Sequence, residues 1–352
     1  MAGERTTPQR PSHGPTCDNR PMDHPVMPLA KTGVLLVNLG TPEAPTAAAV
    51  RAYLGEFLSD PRVVDYPRAL WLPILHGVIL NVRPAKSARA YQKIWTDEGS
   101  PLKVFTERAA DALKPRFDDK IVIDWAMRYG APSVEEKIDR MRAAGADRIV
   151  VIPLYPQYSK STTASVADAA EAAVASLPFR PAMRIAAPFH DHPKYISALQ
   201  SSAERHLAAL GWKPERIILS FHGTPKRWLG EGEPYYCHCA KTARLLREAM
   251  GWSDDFAPLA FQSRFGREEW LGPATDALIG ENAKKGVKNL AIMTPGFLAD
   301  CLETLEEIAI GGAQIFRAAG GKNFAAIPCL NDDSGLIDLL ETLVHTEAAG
   351  WI

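Results

Sequence analysis

Apolar residues along this chain fall into eight short, nearly continuous runs, with helix-spaced stretches between them. The runs are 33–39, 121–127, 148–154, 183–187, 216–221, 257–262, 289–293 and 323–327. Near-continuous apolar runs of this length mark strands covered on both faces, hence a parallel sheet. Between them, 134–141 has helical spacing and ends before Gly145. The segment 194–210 repeats at threes and fours through Tyr195, Ile196 and Leu199, then His206, Leu207 and Leu210. Strand and helix therefore alternate, which predicts an α/β fold.

Eight strands divide into two lobes of four, and the halves echo each other. Both 152–156 (Ile-Pro-Leu-Tyr-Pro) and 292–296 (Ile-Met-Thr-Pro-Gly) are apolar strands that break at Pro and open toward a helix. The expected architecture is two four-stranded parallel sheets flanked by helices, with a cleft between them. The boundaries predicted are a disordered leader over 1–30, a first lobe over 31–180 plus 331–352, and a second lobe over 181–330. The last helix, near 335–348, is expected to cross back and brace the first lobe.

The chain has 352 residues, 46% apolar and 23% charged, as in a globular protein of two ordinary domains. A net charge of −1 gives no electrostatic case for nucleic acid. Five scattered cysteines (Cys17, Cys237, Cys239, Cys301, Cys329) fit a reducing cytoplasm better than a disulfide framework. Residues 1–30 hold six prolines and lack the apolar core of a signal peptide. The longest apolar run, 69–80, contains Pro73 and His76 and is shorter than the roughly 20 residues that span a bilayer. It reads as a core helix or as an exposed apolar lip at a pocket mouth or membrane surface.

Two places carry candidate chemistry. His222 follows the run 216–221 and precedes Gly223 and Pro225. It thus sits just past a strand's carboxyl end, where open α/β sheets hold ligands. A His there is either a structural hydrogen-bonder or a base that works near neutral pH. The second place follows 289–293, where Asp300, Glu303 and Glu307 stand at i, i+3 and i+7. On an α-helix these share one face, with Glu306 elsewhere and Leu302, Leu305 and Ile308 as the buried stripe. The file is either a solvated face or a cleft-facing path for a divalent cation or protons.

Other patterns are weaker. Cys237-His238-Cys239 lacks the second ligand pair of a zinc site. No G-x-G-x-x-G, Walker-type loop or G-x-S-x-G elbow follows any strand. Arg83, Lys86 and Arg89 follow the apolar run, and Arg128-Tyr129 and the polar strip 155–163 follow strands. An apolar wall beside cations suits a flat, greasy ligand with carboxylate arms.

The chain resembles the ferrochelatase family over about residues 32–345. The resemblance is carried in order by Leu36-Val37-Asn38-Leu39-Gly40-Thr41-Pro42-Glu43, Tyr91-Gln92-Lys93-Ile94-Trp95 with Gly99-Ser100-Pro101, and Met127-Arg128-Tyr129-Gly130. It continues through Tyr155-Pro156-Gln157-Tyr158-Ser159, Ser220-Phe221-His222-Gly223, Pro234-Tyr235-Tyr236-Cys237, Trp270-Leu271-Gly272-Pro273 and Glu303-Thr304-Leu305. It implies two Rossmann-like, chelatase-type lobes around a porphyrin cleft. The implied reaction inserts Fe²⁺ into protoporphyrin IX, giving protohaem and two protons, the last step of haem biosynthesis. His222 would be the base and Glu303 the partner acid, with Glu307 and Asp300 extending the acidic path for iron. Leu39, Tyr91, Ser100, Arg128, Tyr129 and Trp270 would line or border the cavity.

Two departures stand out. Many relatives have His two residues before the acid, where this chain has Cys301. Relatives that bind a 2Fe–2S cluster use a Cys after the Tyr-Ser pair, where this chain has Lys160. No such cluster is therefore expected, and Fe²⁺ enters as substrate only. The rival readings are a coproporphyrin III ferrochelatase and a non-catalytic haem carrier. A cytoplasmic protein is expected, monomeric or homodimeric, with the apolar run as its candidate membrane contact.

Overall fold

The structure, a computed structural model, describes residues 31–266 and 268–352; the expected leader over 1–30, Cys17 included, lies outside the described residues. Eight strands form: β1 Lys31–Gly40, β2 Ile121–Tyr129, β3 Ala146–Pro153, β4 Ala182–Ile185, β5 Arg216–His222, β6 Leu259–Gln262, β7 Asn289–Met293 and β8 Asn323–Ala326. They make two four-stranded sheets of identical pattern, ordered β2-β1-β3-β4 and β6-β5-β7-β8. Every pairing is parallel. Within this order the winding reverses beside β1 in one sheet and beside β5 in the other. Such reversals open a crevice at the strands' carboxyl ends.

Burial on both faces explains the unbroken apolar runs. Along β1, Val34 and Leu36 face one core while Leu35 and Val37 face another, the alternation of a strand. The first core is continuous across both lobes, because Ile217, Leu219 and Phe221 of β5 belong to it too. Helices Pro101–Leu113, Pro193–Ala209, Tyr235–Met250 and Ser334–Glu347 fill the space between the sheets.

β4 hydrogen-bonds to β3, so the first sheet runs beyond residue 180, where the boundary was expected from the sequence. A four-residue strand after a Pro-containing loop leaves little local sign of which sheet it joins. The final segment contacts the first lobe directly. Arg184 donates to the Glu347 carbonyl at 2.7 Å, and its guanidinium lies 4.0 Å from the Trp351 ring centre.

The run 69–80 is neither a plain core helix nor a plain lip. An α-helix (Arg68–Ile74) passes through a π-turn (Leu75–Ile79) into a second α-helix (Leu80–Ile94). Trp71, Leu75 and Leu80 are buried. Tyr66, Leu70, Ile74, Val78 and Val82 are 48–72% exposed and recur every fourth residue. The wider π-turn keeps that spacing in register on the outer side.

Gly40 closes β1 at φ 114°, and an added Cβ would stand 1.8 Å from the Tyr129 carbonyl oxygen. Gly40→Ala is therefore expected to cost about 3 kcal/mol or more. Urea unfolding followed by circular dichroism checks this. A midpoint equal to wild type would show that β1 and β2 part freely.

Candidate active site

His222 is the last residue of β5. Its Nδ1 lies 2.6 Å from the Gly223 carbonyl oxygen. A carbonyl only accepts, so Nδ1 carries the proton and the lone pair of the neutral ring is on Nε2. The His222 carbonyl accepts from the Tyr235 hydroxyl at 2.9 Å, which fixes the strand end. The ring is half-buried, 6.4 Å from the Phe297 ring. Gly223 permits this arrangement: a Cβ there would meet the Gln262 carbonyl oxygen at 2.9 Å and Trp270 at 3.1 Å. Trp270 thereby packs against the His222 loop, and its indole Nε1 is buried without a partner.

β7 lies beside β5 and leads into the acidic segment. Adjacency of these two strands brings His222 and the acids together across some eighty residues of sequence. The segment Glu303–Gly312 is a π-helix rather than an α-helix. Its i→i+5 bonding takes more than four residues per turn. Residues four apart therefore stay on one side, which pairs Glu303 with Glu307. Both Glu307 oxygens are held by Ser263, through the backbone N–H at 2.8 Å and Oγ at 2.5 Å. Burial pushes the Glu307 carboxyl up, and the nearby Glu303 charge adds to this, while Ser263 and, once it holds a proton, His222 oppose it. Glu306 points away and pairs with Lys93 at 2.8 Å.

Around Glu303 the walls come from the first lobe. Burial first, then the Tyr91 and Glu303 charges, push the Tyr53 phenol well up; burial and Glu303 do the same for Tyr91. Burial lowers the Arg83 guanidinium's proton affinity and Glu303 counters it. Arg83 lies 4.9 Å from the Phe265 ring centre and makes no ion pair among the described residues. Leu39 packs with Phe297, Leu102 and Cys301. Cys301 is buried, and burial with the Glu303 charge keeps its thiol protonated.

Four expected residues do other work. Asp300 lies before the helix, not on its face. Its carboxylate accepts from Thr304 Oγ1 at 2.8 Å and Asn331 Nδ2 at 2.8 Å, so both oxygens are spent on structural hydrogen bonds. Tyr129 is fully buried, donating to Asp60 at 2.8 Å. Arg128 reaches the same carboxylate at 2.6 Å and Ser165 Oγ at 2.7 Å. Burial disfavours the Asp60 charge, but donors from Ser165, the Arg62 backbone and Tyr129, with Arg128, outweigh it and hold its pKa down. Arg128 and Tyr129 thus brace the first lobe. Ser100 is 3% exposed and accepts from Thr41 at 2.8 Å, supporting the wall from behind. His222, Glu303, Glu307, Trp270, Tyr91 and Leu39 are the expected residues that do gather at the cleft. Tyr53, Gln262, Ser263 and Phe297 were not anticipated, and only the position of Gln262 and Ser263 at the end of an apolar run hinted at two of them.

A second cluster ties the lobes. Lys160 binds Asp65 at 2.9 Å and Glu231 at 3.2 Å, and lies 4.1 Å from the Trp228 ring centre. Asp65 also accepts from Arg227, and from Trp228 Nε1 at 3.0 Å. Burial alone would raise the Asp65 carboxyl; Arg227 and Lys160 instead hold it at about 2. Its ordinary value is about 3.9, so the stabilisation is complete above that pH and is lost as pH falls toward 2. Asp65→Asn is expected to lower the melting temperature by about 3 °C at pH 7. The gap from wild type should close as pH falls from 4 to 2 in thermal melts. A gap independent of pH would show that packing, not charge, is at stake. Among the described residues no three His, Cys, Asp or Glu side chains converge to hold a metal, and Cys237 is exposed while Cys239 is buried.

A sequence model of the family described as Ferrochelatase matches residues 31–348. The chain is 49% identical over 334 residues to a ferrochelatase of Rhizobium meliloti, covering 94% of this chain and 98% of that one. It is 53% identical over 325 residues to a ferrochelatase of Azoarcus sp., covering 92% and 89%. Among solved structures, SirB from Bacillus subtilis with Fe3+ superposes with a TM-score of 0.57 at 13% identity, covering 91% of this chain and 97% of that one. The sirohydrochlorin chelatase SirB from Bacillus subtilis subspecies spizizenii, in complex with cobalt, gives 0.53 at 11% identity, with the same coverage. At such identities the likeness is one of fold.

Proposed function

The chain belongs to the ferrochelatase family, and from that premise we propose that it inserts Fe²⁺ into protoporphyrin IX, yielding protohaem and two protons. The observation that carries the reading is the Nε2 lone pair of His222 in a cleft shared with Glu303 and Glu307. Insertion must remove two pyrrole protons as a dication arrives. The net charge in the cleft is then the same before and after. A half-closed pocket favours such an exchange, because uncompensated charge there is costly. His222 Nε2 takes the first proton. The carboxylates receive iron and the second proton, and Glu307, whose proton affinity burial has raised, is suited to hold that proton.

The cations favour a substrate with few carboxylate arms. Arg128, Lys160 and Arg227 are already committed to Asp60 and Asp65. Arg83 is the half-buried cation at the cleft without an ion pair among the described residues, while Lys86 and Arg89, equally unpaired, are exposed. That suits the two arms of protoporphyrin better than the four of coproporphyrin III. We further propose that the protein works without an iron–sulfur cluster. Lys160, which stands where such relatives carry a cysteine, is spent on ion pairs with Asp65 and Glu231.

The test is anaerobic loss of free-porphyrin fluorescence on adding Fe²⁺, run with both porphyrins. Faster loss with protoporphyrin IX supports the reading. Faster loss with coproporphyrin III replaces the substrate. No iron-dependent loss, with tight haem binding, would make the protein a carrier.

Among the described residues no helix is long and apolar enough to cross a membrane. The stripe from Tyr66 to Val82 instead supports peripheral contact, through which an apolar substrate is collected. Leu70→Asp with Val78→Asp is expected to reduce co-flotation with lipid vesicles at least about fivefold. Turnover of detergent-dispersed porphyrin should not change. Undiminished flotation would assign another surface to the membrane.

A further inference from the structure

The end of β6 grips the acidic π-helix at two points. Gln262 donates from Nε2 to the Glu303 carbonyl at 2.9 Å. Its Oε1 accepts from Ser220 Oγ at 2.7 Å, and Ser220 Oγ is 2.7 Å from Thr275 Oγ1. Gln262, Ser220 and Thr275 are all at most 3% exposed. A donor hydroxyl on one side and an acceptor carbonyl on the other fix which way the amide faces. One residue on, Ser263 spends both its N–H and its hydroxyl on the two Glu307 oxygens.

Backbone conformation supports a dedicated role. Among the described residues only Ser263 (φ 64°) and Asn331 (φ 56°) are non-glycine residues in the left-handed region. Such conformations are costly and persist where the surroundings enforce them. Each of the two holds a carboxylate of the same segment, Asn331 at Asp300 and Ser263 at Glu307. At Ser263 the left-handed turn is what aims N–H and Oγ at a single carboxylate.

We propose that Gln262 and Ser263 are positioning residues for metal capture: they set the start of the π-helix and aim the Glu307 carboxylate so that iron meets Glu303 and Glu307 as a preset pair. The inference rests on the role given to those two acids above. It goes further in naming strand β6, which touches neither acid through a charge, as the element that sets their geometry. Partners that orient a metal-binding side chain typically matter tenfold or more.

Two substitutions separate the hydrogen bond from the backbone. Ser263→Ala removes Oγ and keeps the unfavourable φ, whereas Ser263→Gly removes Oγ and relieves it. Both are expected to raise the KM for Fe²⁺ about tenfold, with the KM for porphyrin within about twofold of wild type. Both should also weaken Co²⁺ binding to the porphyrin-free protein about tenfold, measured by calorimetry. Thermal melts show whether each variant is folded, and Gln262→Met, which removes the grip on the Glu303 carbonyl, should shift Fe²⁺ KM in the same direction. Unchanged Fe²⁺ KM and Co²⁺ affinity in folded variants would overturn the inference. So would a glycine variant that behaves as wild type, or a porphyrin KM that rises in step. Should wild type insert no iron, the substrate reading fails, but the Co²⁺ measurement still decides the positioning role.

Discussion

Replacing His222 with alanine is expected to lower kcat for iron insertion about a thousandfold, the middle of the range for a well-placed general base. The ring is the one neutral group in the cleft with a lone pair fixed outward, because Nδ1 donates to the Gly223 carbonyl. The Tyr91 and Tyr53 phenols, held protonated by burial and by Glu303, and the neutral Cys301 thiol cannot replace it, and the carboxylates are already needed for iron and the second proton. Folding should be little affected, since the side chain's hydrogen bond is to its own neighbour. The porphyrin Kd should stay within about threefold, because the apolar wall and Arg83 remain. Fluorescence titration for binding and anaerobic initial rates for turnover separate these effects. Added imidazole should restore part of the rate. A variant that turns over within about threefold of wild type would remove His222 from the proton path.

Glu303→Gln is expected to lower kcat/KM for Fe²⁺ about a hundredfold. The substitution preserves shape and leaves the main-chain carbonyl free to accept from Gln262. It removes the charge that most affects the surrounding wall, the one felt by Tyr53, Tyr91, Arg83 and Cys301. Loss of that charge leaves Glu307 alone opposite His222. Glu306→Gln is the control: Glu306 forms a surface pair with Lys93, whose side chain is 51% exposed, and such pairs contribute little. Its rates should stay within about twofold of wild type. Equal losses in both variants would mean that total negative charge, not position, governs iron delivery.

These two positions also show what a sequence makes visible. The strands were legible because burial on both faces writes continuous apolar runs, and the topology then placed His222 at a strand's carboxyl end. The setting of Asp300 was not legible because it is decided by Asn331, 31 residues away, whose backbone is left-handed and whose amide donates to it. The contacts of Arg128 and Tyr129 were not legible for a similar reason: Asp60, 68 and 69 residues from them, draws both inward. The π-helix was hidden because α-helical spacing of Leu302, Leu305 and Ile308 fits the sequence equally well. Its wider turn moves the acidic pair to Glu303 and Glu307. The apolar run 69–80 looked uniform, yet a π-turn inside it separates Leu75 in the core from Val78 in the open. For Ser263 only its place just after an apolar run was visible, since nothing local marks a serine as left-handed.

The most direct measurement is a crystal structure of the protein with protoporphyrin IX bound and no metal added. The account predicts the tetrapyrrole centre between His222 Nε2 and the Glu303 carboxylate, with a carboxylate arm at Arg83. A ring bound outside that gap, with either His222 or Glu303 turned from the pyrrole nitrogens, would contradict it.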